Sequence, residues 1–480
     1  MKLLLRGHDD RYAIEQLQLS LFPDELMEPT DAPFQGDGAI STLFIGNTWL
    51  TATAELHRGG KTARAMRRLL VSEADVPSRR RLLQNAYYDA AMQLRAPPEW
   101  GSLSGVRPTK LTTKHLQNGG TLQSAERLLT ERYHVSPMRA RLCVEASAAT
   151  LAAERLLRAD DISVYIGIPF CPTRCAYCSF VSASVERLSN LLPPFLDALE
   201  REIAFTGAAL RESRHRIRTL YIGGGTPTTL SAAQLERLMN AIRTHFDLTE
   251  LIEYTIEGGR PDTLDLEKLT VLRTLGCERM SINPQTMNDT VLAAVGRCHT
   301  SAQTLAAYRA ARQACFENIN MDLIAGLPED TEVSFRRSLE QVLALAPENI
   351  TVHTLALKKG ADLFSSRLHL PTAETVAAML CQAESALRRS GYIPYYLYRQ
   401  KYMSGSFENI GWCRPGCLGL YNIYMMEEAH SILSLGGGGM TKINLPDGTL
   451  RRFSNPKFPQ QYIDGIEELL RRKAEAVTLL

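Results

Sequence analysis

The sequence lacks any long hydrophobic run. No stretch of 18 or more apolar residues occurs in its 480 residues, and a transmembrane helix needs about that length. Near the N-terminus only residues 3–5 form an apolar run before charged residues return, which is too short for the core of a signal peptide. We therefore expect a cytoplasmic protein without a membrane span.

Charge of one sign is also lacking. The 54 Lys and Arg nearly balance the 52 Asp and Glu, for a net charge of +2, so we expect no nucleic-acid partner. Ten cysteines in a chain of this length are too few for a disulfide scaffold, and we expect them to be reduced. A hydrophobic content of 45% and a charged content of 22% are typical of globular proteins.

The chain divides by its hydrophobic pattern into three predicted domains. Residues 1–155 mix strands and helices, with a hairpin predicted at 40–45 and 48–56 around Gly46 and Asn47. From about residue 160 to 370, short apolar runs alternate with helical segments, which indicates parallel βαβ units. The predicted strands are 163–168, 219–222, 253–257, 279–282, 319–324 and 350–355. Six such units fit a partial barrel or an open sheet, with the chemistry at the carboxyl ends of the strands. Residues 371–480 form the third region.

A cysteine triplet is the strongest chemical signal in the sequence. Cys171, Cys175 and Cys178 follow the first core strand with the spacing C-x3-C-x2-C. Cysteine thiolates hold iron–sulfur clusters, and three ligands leave one iron of a four-iron cluster open to chelate S-adenosylmethionine. The alternatives are a zinc site, which requires four ligands and would recruit Cys413 and Cys417, or buried cysteines that bind no metal.

The string from Tyr165 to Cys178, Y-I-G-I-P-F-C-P-T-R-C-A-Y-C, resembles the signature of the radical S-adenosylmethionine superfamily. Within it, the chain is most similar to the oxygen-independent coproporphyrinogen III oxidase/dehydrogenase family, HemZ type. The resemblance implies a partial (β/α)6 barrel with an α+β N-terminal domain and a C-terminal extension that covers substrate. It also implies a [4Fe–4S] cluster on the three cysteines and one or two molecules of S-adenosylmethionine.

The resemblance assigns cofactor contacts to polar residues at successive strand ends. These are Gly224, Gly225 and Thr226 at the amino acid end of S-adenosylmethionine, Glu257 as a carboxylate that faces the cationic cofactor, Gln285 and Asp322 at its ribose, and Arg297 at its carboxylate or at the substrate. Consecutive glycines offer backbone N–H groups to a carboxylate. Each residue alone would more often cap a loop, but their occurrence in strand order favours a site. Tyr165 and Arg297 are the candidates for a catalytic role.

The activity implied by the resemblance is oxidative decarboxylation of coproporphyrinogen III to protoporphyrinogen IX in heme biosynthesis. The electron donor would be a protein such as flavodoxin or ferredoxin. Aromatic and basic residues suited to a tetrapyrrole with propionates lie at 395–402 and at Arg260, Lys358 and Lys359. The alternatives are heme breakdown, methyl transfer, or a heme-binding chaperone with His299, His353 or His430 as heme ligand.

Three places depart from the family pattern. Gly167 stands where many relatives have His, Ser179 and Phe180 follow the triplet without a further cysteine, and residues 257–261 read E-G-G-R-P instead of E-x-N-P.

Overall fold

The computed structural model describes residues 1–22, 25–178, 183–356, 361, 363, 368–400 and 406–480. The chain divides into two units, Met1–Val144 and Glu145–Leu480. The predicted division of the second unit near residue 370 stays a prediction.

A five-stranded sheet with the strand order β2-β1-β3-β4-β5 forms the centre of the first unit. Every second residue of β4 from Leu50 to Leu56 is buried, since side chains alternate along a strand. This face packs with Leu17 and Tyr87 of the helices into one core. The elements are β1 (Lys2–Arg6), α1 (Arg11–Leu21), β2 (Glu28–Thr30), β3 (Gly38–Ile45), β4 (Trp49–Arg58), β5 (Lys61–Leu70), α2 (Val76–Ala91), α3 (Thr109–Gln117) and α4 (Leu122–Tyr133). The predicted hairpin is confirmed, because β3 and β4 pair antiparallel with Ile45 opposite Leu50.

The second unit begins within helix α5 (Pro137–Glu154) and alternates strands with helices. Its strands are β6 (Asp161–Ile168), β7 (Phe170–Cys171), β8 (Ala183–Ser184), β9 (Arg216–Gly224), β10 (Glu253–Glu257), β11 (Arg279–Ser281), β12 (Asn318–Ala325), β13 (Asn349–Thr354), β14 (Ile393–Arg399), β15 (Glu408–Cys413), β16 (Ser431–Gly436), β17 (Met440–Asn444) and β18 (Leu450–Ser454). Its further helices are α6 (Val185–Leu188), α7 (Leu192–Glu212), α8 (Ala232–His245), α9 (Leu266–Thr274), α10 (Asp289–Ala294), α11 (Ser301–Gln313), α12 (Glu332–Leu345), α13 (Ala373–Arg389), α14 (Leu420–Glu427), α15 (Pro459–Asp464) and α16 (Ile466–Thr478). Single-turn 3₁₀ helices occur at Val71–Glu73, Ser189–Leu191, Pro227–Thr229 and Pro261–Thr263.

Eleven strands form one sheet in the order β14-β15-β13-β12-β11-β10-β9-β6-β16-β17-β18. The six predicted strands are confirmed as β6 and β9–β13, which are mutually parallel. In the described residues the sheet stays open between β14 and β18, as expected for a partial barrel. The helices are fixed by their caps: α11 and α12 begin after Thr300 and Thr331, whose hydroxyl oxygens accept backbone N–H bonds.

The C-terminal part of the chain supplies strands at both edges of this sheet. The aromatic stretch at 392–402 contributes β14, and β16 pairs in parallel with β6 so that Gly436 lies opposite Gly167. A Cβ atom at position 167 would lie 2.4 Å from the carbonyl oxygen of Gly437, so this contact requires glycine. Close packing against the glycine segment 436–439 therefore leaves no room for a side chain such as His at position 167.

A buried carboxylate on α7 fixes the glycine segment 436–439. Glu202 accepts hydrogen bonds from the N–H of Gly436 at 2.8 Å and from the phenol of Tyr462 at 2.5 Å. The ammonium of Lys473 lies 3.3 Å from the same carboxylate, which provides the countercharge that a buried carboxylate requires. Helices α7, α15 and α16 therefore hold the loop that borders β6.

Candidate functional site

The carboxyl ends of the parallel strands surround a cavity of about 570 Å³. All of the residues predicted for the cluster, for S-adenosylmethionine or for catalysis line it: Tyr165, Cys171, Cys175, Cys178, Gly224, Gly225, Thr226, Glu257, Gln285, Arg297 and Asp322. The structure thus brings together residues that are separated by up to 157 positions in the sequence, counted from Tyr165 to Asp322. Their individual roles as ligands stay predictions.

The cysteine loop follows β6 directly. Cys171 ends the short strand β7, and a turn joins the N–H of Cys178 to the carbonyl oxygen of Cys175 at 3.0 Å. The loop is anchored where the N–H of Ala176 donates to the carbonyl oxygen of Val295 at 3.0 Å. Ser179 and Phe180 lie outside the described residues. The sequence spacing therefore places three thiols on the rim of one cavity.

The glycine loop after β9 packs against the cysteine loop. The N–H groups of Gly224, Gly225 and Thr226 donate to Glu257 Oε2 and to the carbonyl oxygens of Ile168 and Phe170. The protein itself therefore accepts hydrogen bonds from these three amides, and the contact of this loop with a cofactor stays a prediction. The glycines instead allow close approach, because a Cβ atom on Gly225 would lie 2.4 Å from the carbonyl oxygen of Phe170 and 3.0 Å from Cys171 Sγ.

The carboxylate of Glu257, at the end of β10, is hydrogen-bonded to Tyr221. Tyr221 is a site residue that the sequence reasoning missed. The phenol of Tyr221 donates to Oε1 at 2.6 Å. Burial raises the pKa of Glu257 to about 7, and the Tyr221 hydrogen bond opposes this shift. The signal for Tyr221 is the alternation of β9, which puts its side chain on the same face as Gly223.

Three buried oxygen atoms near the ends of β11 have no hydrogen-bond partner among the described residues: Ser281 Oγ, Asn283 Oδ1 and Gln285 Oε1. Their residues line the cavity, and unpaired buried polar atoms are costly unless a ligand satisfies them. Gln285 also has a left-handed backbone with φ of 67°, a strained conformation that often marks binding sites.

Asp322, on β12, lies beside His353 of β13. Its Oδ1 accepts from the amide of Asn320 at 2.7 Å, and its Oδ2 lies 3.6 Å from His353 Nε2. Burial acts to raise the pKa of Asp322, but the hydrogen bond and charge of His353 outweigh it, so the pKa falls below its usual value. The structure therefore places an ionised carboxylate at this side of the cavity.

Arg297 is buried and anchored within the protein. Its Nε donates to the phenol of Tyr177 at 3.0 Å, and its Nη1 donates to the carbonyl oxygen of Asn283 at 2.5 Å. Burial acts to lower the pKa of Arg297, but its interactions with Tyr177 and Cys175 outweigh burial and raise the pKa above its usual value. Tyr177, which lies between two of the cysteines, is the second residue that sequence reasoning missed.

Aromatic rings form one wall of the cavity. Tyr221 and Tyr421 stack with their centroids 4.5 Å apart, and Tyr165 stacks at 6.1 Å from Tyr221. Tyr396 and Tyr398 of β14 also border the cavity. The wall thus combines strands of the barrel with residues from the C-terminal region.

Several sequence candidates for substrate contacts lie elsewhere. Tyr395 is buried in a hydrophobic cluster and is not among the residues that line the cavity, and Arg399 is buried with bonds to the carbonyl oxygen of Ser406. Arg260 lines the cavity, but its guanidinium is engaged by neighbouring side chains of the protein. Lys358, Lys359, Lys401 and Tyr402 lie outside the described residues.

Of the three histidine candidates, His353 alone is among the residues described as lining the cavity. His299 is buried beside Asp262, with Nδ1 3.9 Å from its Oδ1. His430 is buried and hydrogen-bonded to Ser163 at 2.7 Å, and burial lowers the pKa of His430 to about 3. His299 and His430 are therefore not among the residues that line the cavity, whereas a heme ligand there was expected to line it.

Cys413 and Cys417 do not complete a zinc site with the triplet. Cys413 pairs with Asn349, the first residue of β13, so it lies at the amino edge of the parallel strands, whereas the triplet lies at the carboxyl edge. Among the described residues, no group of three or more His, Cys, Asp and Glu side chains is close enough together to hold a metal ion. Each cysteine of a cubane binds its own iron, and three thiols around one cavity with unpaired oxygens beyond them fit a cluster with a bound cofactor.

A family model described as the Radical SAM superfamily matches residues 165–342. The oxygen-independent coproporphyrinogen-III oxidase-like protein HemZ of Bacillus subtilis is 40% identical over 77% of this chain and 75% of its own length. The chain belongs to this radical S-adenosylmethionine family. The cofactors of the superfamily are a [4Fe–4S] cluster and S-adenosylmethionine.

Two further proteins that are similar to this chain differ from each other in function. The heme chaperone HemW of Bacillus subtilis is 35% identical over 48% of this chain and 62% of its own length. The structure of coproporphyrinogen III oxidase HemN from Escherichia coli has a TM-score of 0.53 and 26% identity, covering 67% of this chain and 73% of that one.

The described residues contain no helix that is both long and apolar enough to cross a membrane.

Proposed function

We propose that the protein is a coproporphyrinogen dehydrogenase that converts two propionates of coproporphyrinogen III into vinyl groups and forms protoporphyrinogen IX in heme biosynthesis. The observation that carries this proposal is the single cavity in which the cysteine loop, the polar strand ends and an aromatic wall meet. The similarity to HemZ, a coproporphyrinogen-III oxidase-like protein, and to the coproporphyrinogen III oxidase HemN supports it.

In this proposal Cys171, Cys175 and Cys178 hold the [4Fe–4S] cluster. Glu257, Gln285 and Asp322 bind S-adenosylmethionine, together with the glycine loop, and the three unpaired oxygens of the β11 end supply acceptors for ribose hydroxyls. When bound, the cluster and S-adenosylmethionine supply one-electron chemistry, with one S-adenosylmethionine consumed for each propionate that loses carbon dioxide.

The chain contributes orientation and exclusion of water. Tyr165, Tyr221 and Tyr421 present a stacked aromatic surface to the tetrapyrrole, and such apolar walls with few polar groups are typical of cofactor-sized sites. The protein residues hold the reacting carbon close to the cofactor and away from solvent. Reduction of the cluster requires an electron donor such as flavodoxin or ferredoxin.

The second candidate function is a heme chaperone. It is supported by the similarity to HemW and by His353, whose imidazole borders the cavity and is held by Asp322. A histidine oriented by a carboxylate is a suitable axial ligand for heme iron.

An anaerobic reaction separates the two candidates. Reconstituted protein is incubated with S-adenosylmethionine, a reductant and coproporphyrinogen III, and the tetrapyrrole mass is followed; loss of carbon dioxide is expected. In parallel, heme is titrated into the wild type, His353→Ala and the exposed-site control His369→Ala. An unchanged tetrapyrrole together with tight heme binding that only His353→Ala abolishes would overturn the dehydrogenase in favour of the chaperone.

A further inference from the structure

Arg260 is a buried arginine in the loop after β10. It is 2% exposed. Its Nε and Nη2 donate to the two carboxylate oxygens of Asp262, each at 3.0 Å. This bidentate pairing fixes the plane and direction of the guanidinium. Arg260 is therefore a preorganised cation rather than a mobile surface charge.

The remaining nitrogen of Arg260 points to the cysteine loop. Nη1 donates to Thr173 Oγ1 at 3.0 Å and lies 4.0 Å from Cys175 Sγ. Thr173 lies between Cys171 and Cys175 in the sequence, so one side chain connects the β10 loop to the segment that carries two of the three thiols. Cys175 is itself 8% exposed, and charges interact strongly where water is excluded.

The neighbours of the thiols are not equivalent. Cys175 lies near Arg260 and also near the buried Arg297, whose electrostatic contacts include Cys175. Cys171 accepts a hydrogen bond from the hydroxyl of Thr226 at 3.4 Å. Asp262 offsets part of the positive charge beside Cys175, because its carboxylate is paired with Arg260.

We propose that Arg260 is a positioning residue that sets the reduction potential of the cluster by holding a positive charge and an N–H donor beside Cys175. Net charge and hydrogen bonds to the ligand sulfurs tune the potentials of iron–sulfur clusters. A cation stabilises the reduced cluster, which carries one more electron, and so raises the potential. This inference rests on the proposed cluster site and is independent of which tetrapyrrole is the substrate.

The test is a redox titration of the reconstituted cluster followed by electron paramagnetic resonance. Arg260→Gln removes the charge, and we expect a negative shift that lowers the ratio of reduced to oxidised cluster at the wild-type midpoint about tenfold, or ~59 mV for one electron. Asp262→Asn removes the offsetting negative charge, and we expect a shift in the opposite direction. Arg260→Lys should lie closer to the wild type than Arg260→Gln. Arg309→Gln, at an exposed position of α11, is the matched control.

Opposite shifts are the decisive result, because mere disruption of the loop would move both variants in the same direction. A wild-type midpoint in Arg260→Gln at full iron content, or shifts of the same sign, would overturn the inference. If Arg260→Gln fails to load iron, the direction of the shift in Asp262→Asn still decides the sign of the effect. A wild type that holds no cluster at the three cysteines would instead contradict the proposed function.

Discussion

The phenol of Tyr221 donates a 2.6 Å hydrogen bond to Oε1 of Glu257, while the N–H of Gly224 donates to Oε2 at 3.2 Å. These bonds hold the carboxylate at the rim of the cavity. Burial raises the pKa of Glu257 to about 7, and the negative charge of Asp322 contributes to the rise. Glu257 therefore titrates near neutral pH, and a bound cationic cofactor would favour its ionised form.

Binding of S-adenosylmethionine should strengthen as pH rises through about 7. With this pKa, roughly a tenth of the Glu257 carboxylates are ionised at pH 6, so we expect about tenfold weaker binding at pH 6 than at pH 8. The free energy of unfolding of the ligand-free protein should instead fall as pH rises toward about 7, because the folded chain retains a proton on Glu257 that the unfolded chain has already released. Calorimetric titration at both pH values measures the effect, and Glu257→Gln should flatten it. An equally steep pH dependence in Glu257→Gln would contradict the assignment.

Gly225→Ala should cause a several-fold loss of bound iron without unfolding the barrel. Its Cβ atom would lie 2.4 Å from the carbonyl oxygen of Phe170 and 3.0 Å from Cys171 Sγ, so the cysteine loop must shift. Gly259→Ala is the matched control, because its Cβ atom would meet nothing closer than 3.7 Å. Iron analysis and circular dichroism report the two properties. Full iron content in Gly225→Ala would show that close packing of the two loops is not required.

Each of Cys171→Ala, Cys175→Ala and Cys178→Ala should remove the cluster and all cleavage of S-adenosylmethionine. The reason is that every thiolate holds a different iron of the cubane. Cys298→Ala is the control, since Cys298 is exposed and lies 3.9 Å from the hydroxyl of Thr173 beside the loop. Production of 5′-deoxyadenosine at the wild-type rate in any of the three variants would disprove that ligand.

Lys473→Met should destabilise the second unit by about 3–5 kcal/mol, because it leaves the buried carboxylate of Glu202 without its countercharge. The control on the same helix is Arg471→Met, whose exposed pairing with Glu468 is expected to contribute at most ~1 kcal/mol. Urea denaturation followed by tyrosine fluorescence compares the two variants. Equal midpoints for Lys473→Met and the wild type would show that the Glu202 network does not stabilise the glycine loop.

The central strands could be predicted because their side chains are buried on both faces, which produces continuous apolar runs such as β6. The cysteine spacing likewise identified the loop that borders the cavity. The partners of β16 could not be predicted, since its pairing with β6 joins segments more than 260 residues apart. Such long-range pairings depend on tertiary packing rather than on local pattern.

The hydrogen-bond partners of loop residues could not be predicted from the sequence. Arg260 resembles a propionate ligand in the sequence, but Asp262, two residues later, orients it toward Thr173 instead. The glycine loop was expected to present its amides to a ligand, yet the neighbouring strands and Glu257 already accept them. Asp262 is a local partner of Arg260, but Thr173 and the acceptors of the glycine loop are polar groups that only the fold brings within hydrogen-bonding distance.

The most direct test of the proposed dehydrogenase activity follows the transferred hydrogen atom. Coproporphyrinogen III deuterated at the β-carbons of its propionates is incubated anaerobically with the reconstituted protein, S-adenosylmethionine and a reductant. If the protein has the proposed activity, we expect 5′-deoxyadenosine that carries deuterium, formed together with a tetrapyrrole that has lost carbon dioxide. Unlabelled 5′-deoxyadenosine beside an unchanged tetrapyrrole would contradict the proposed activity.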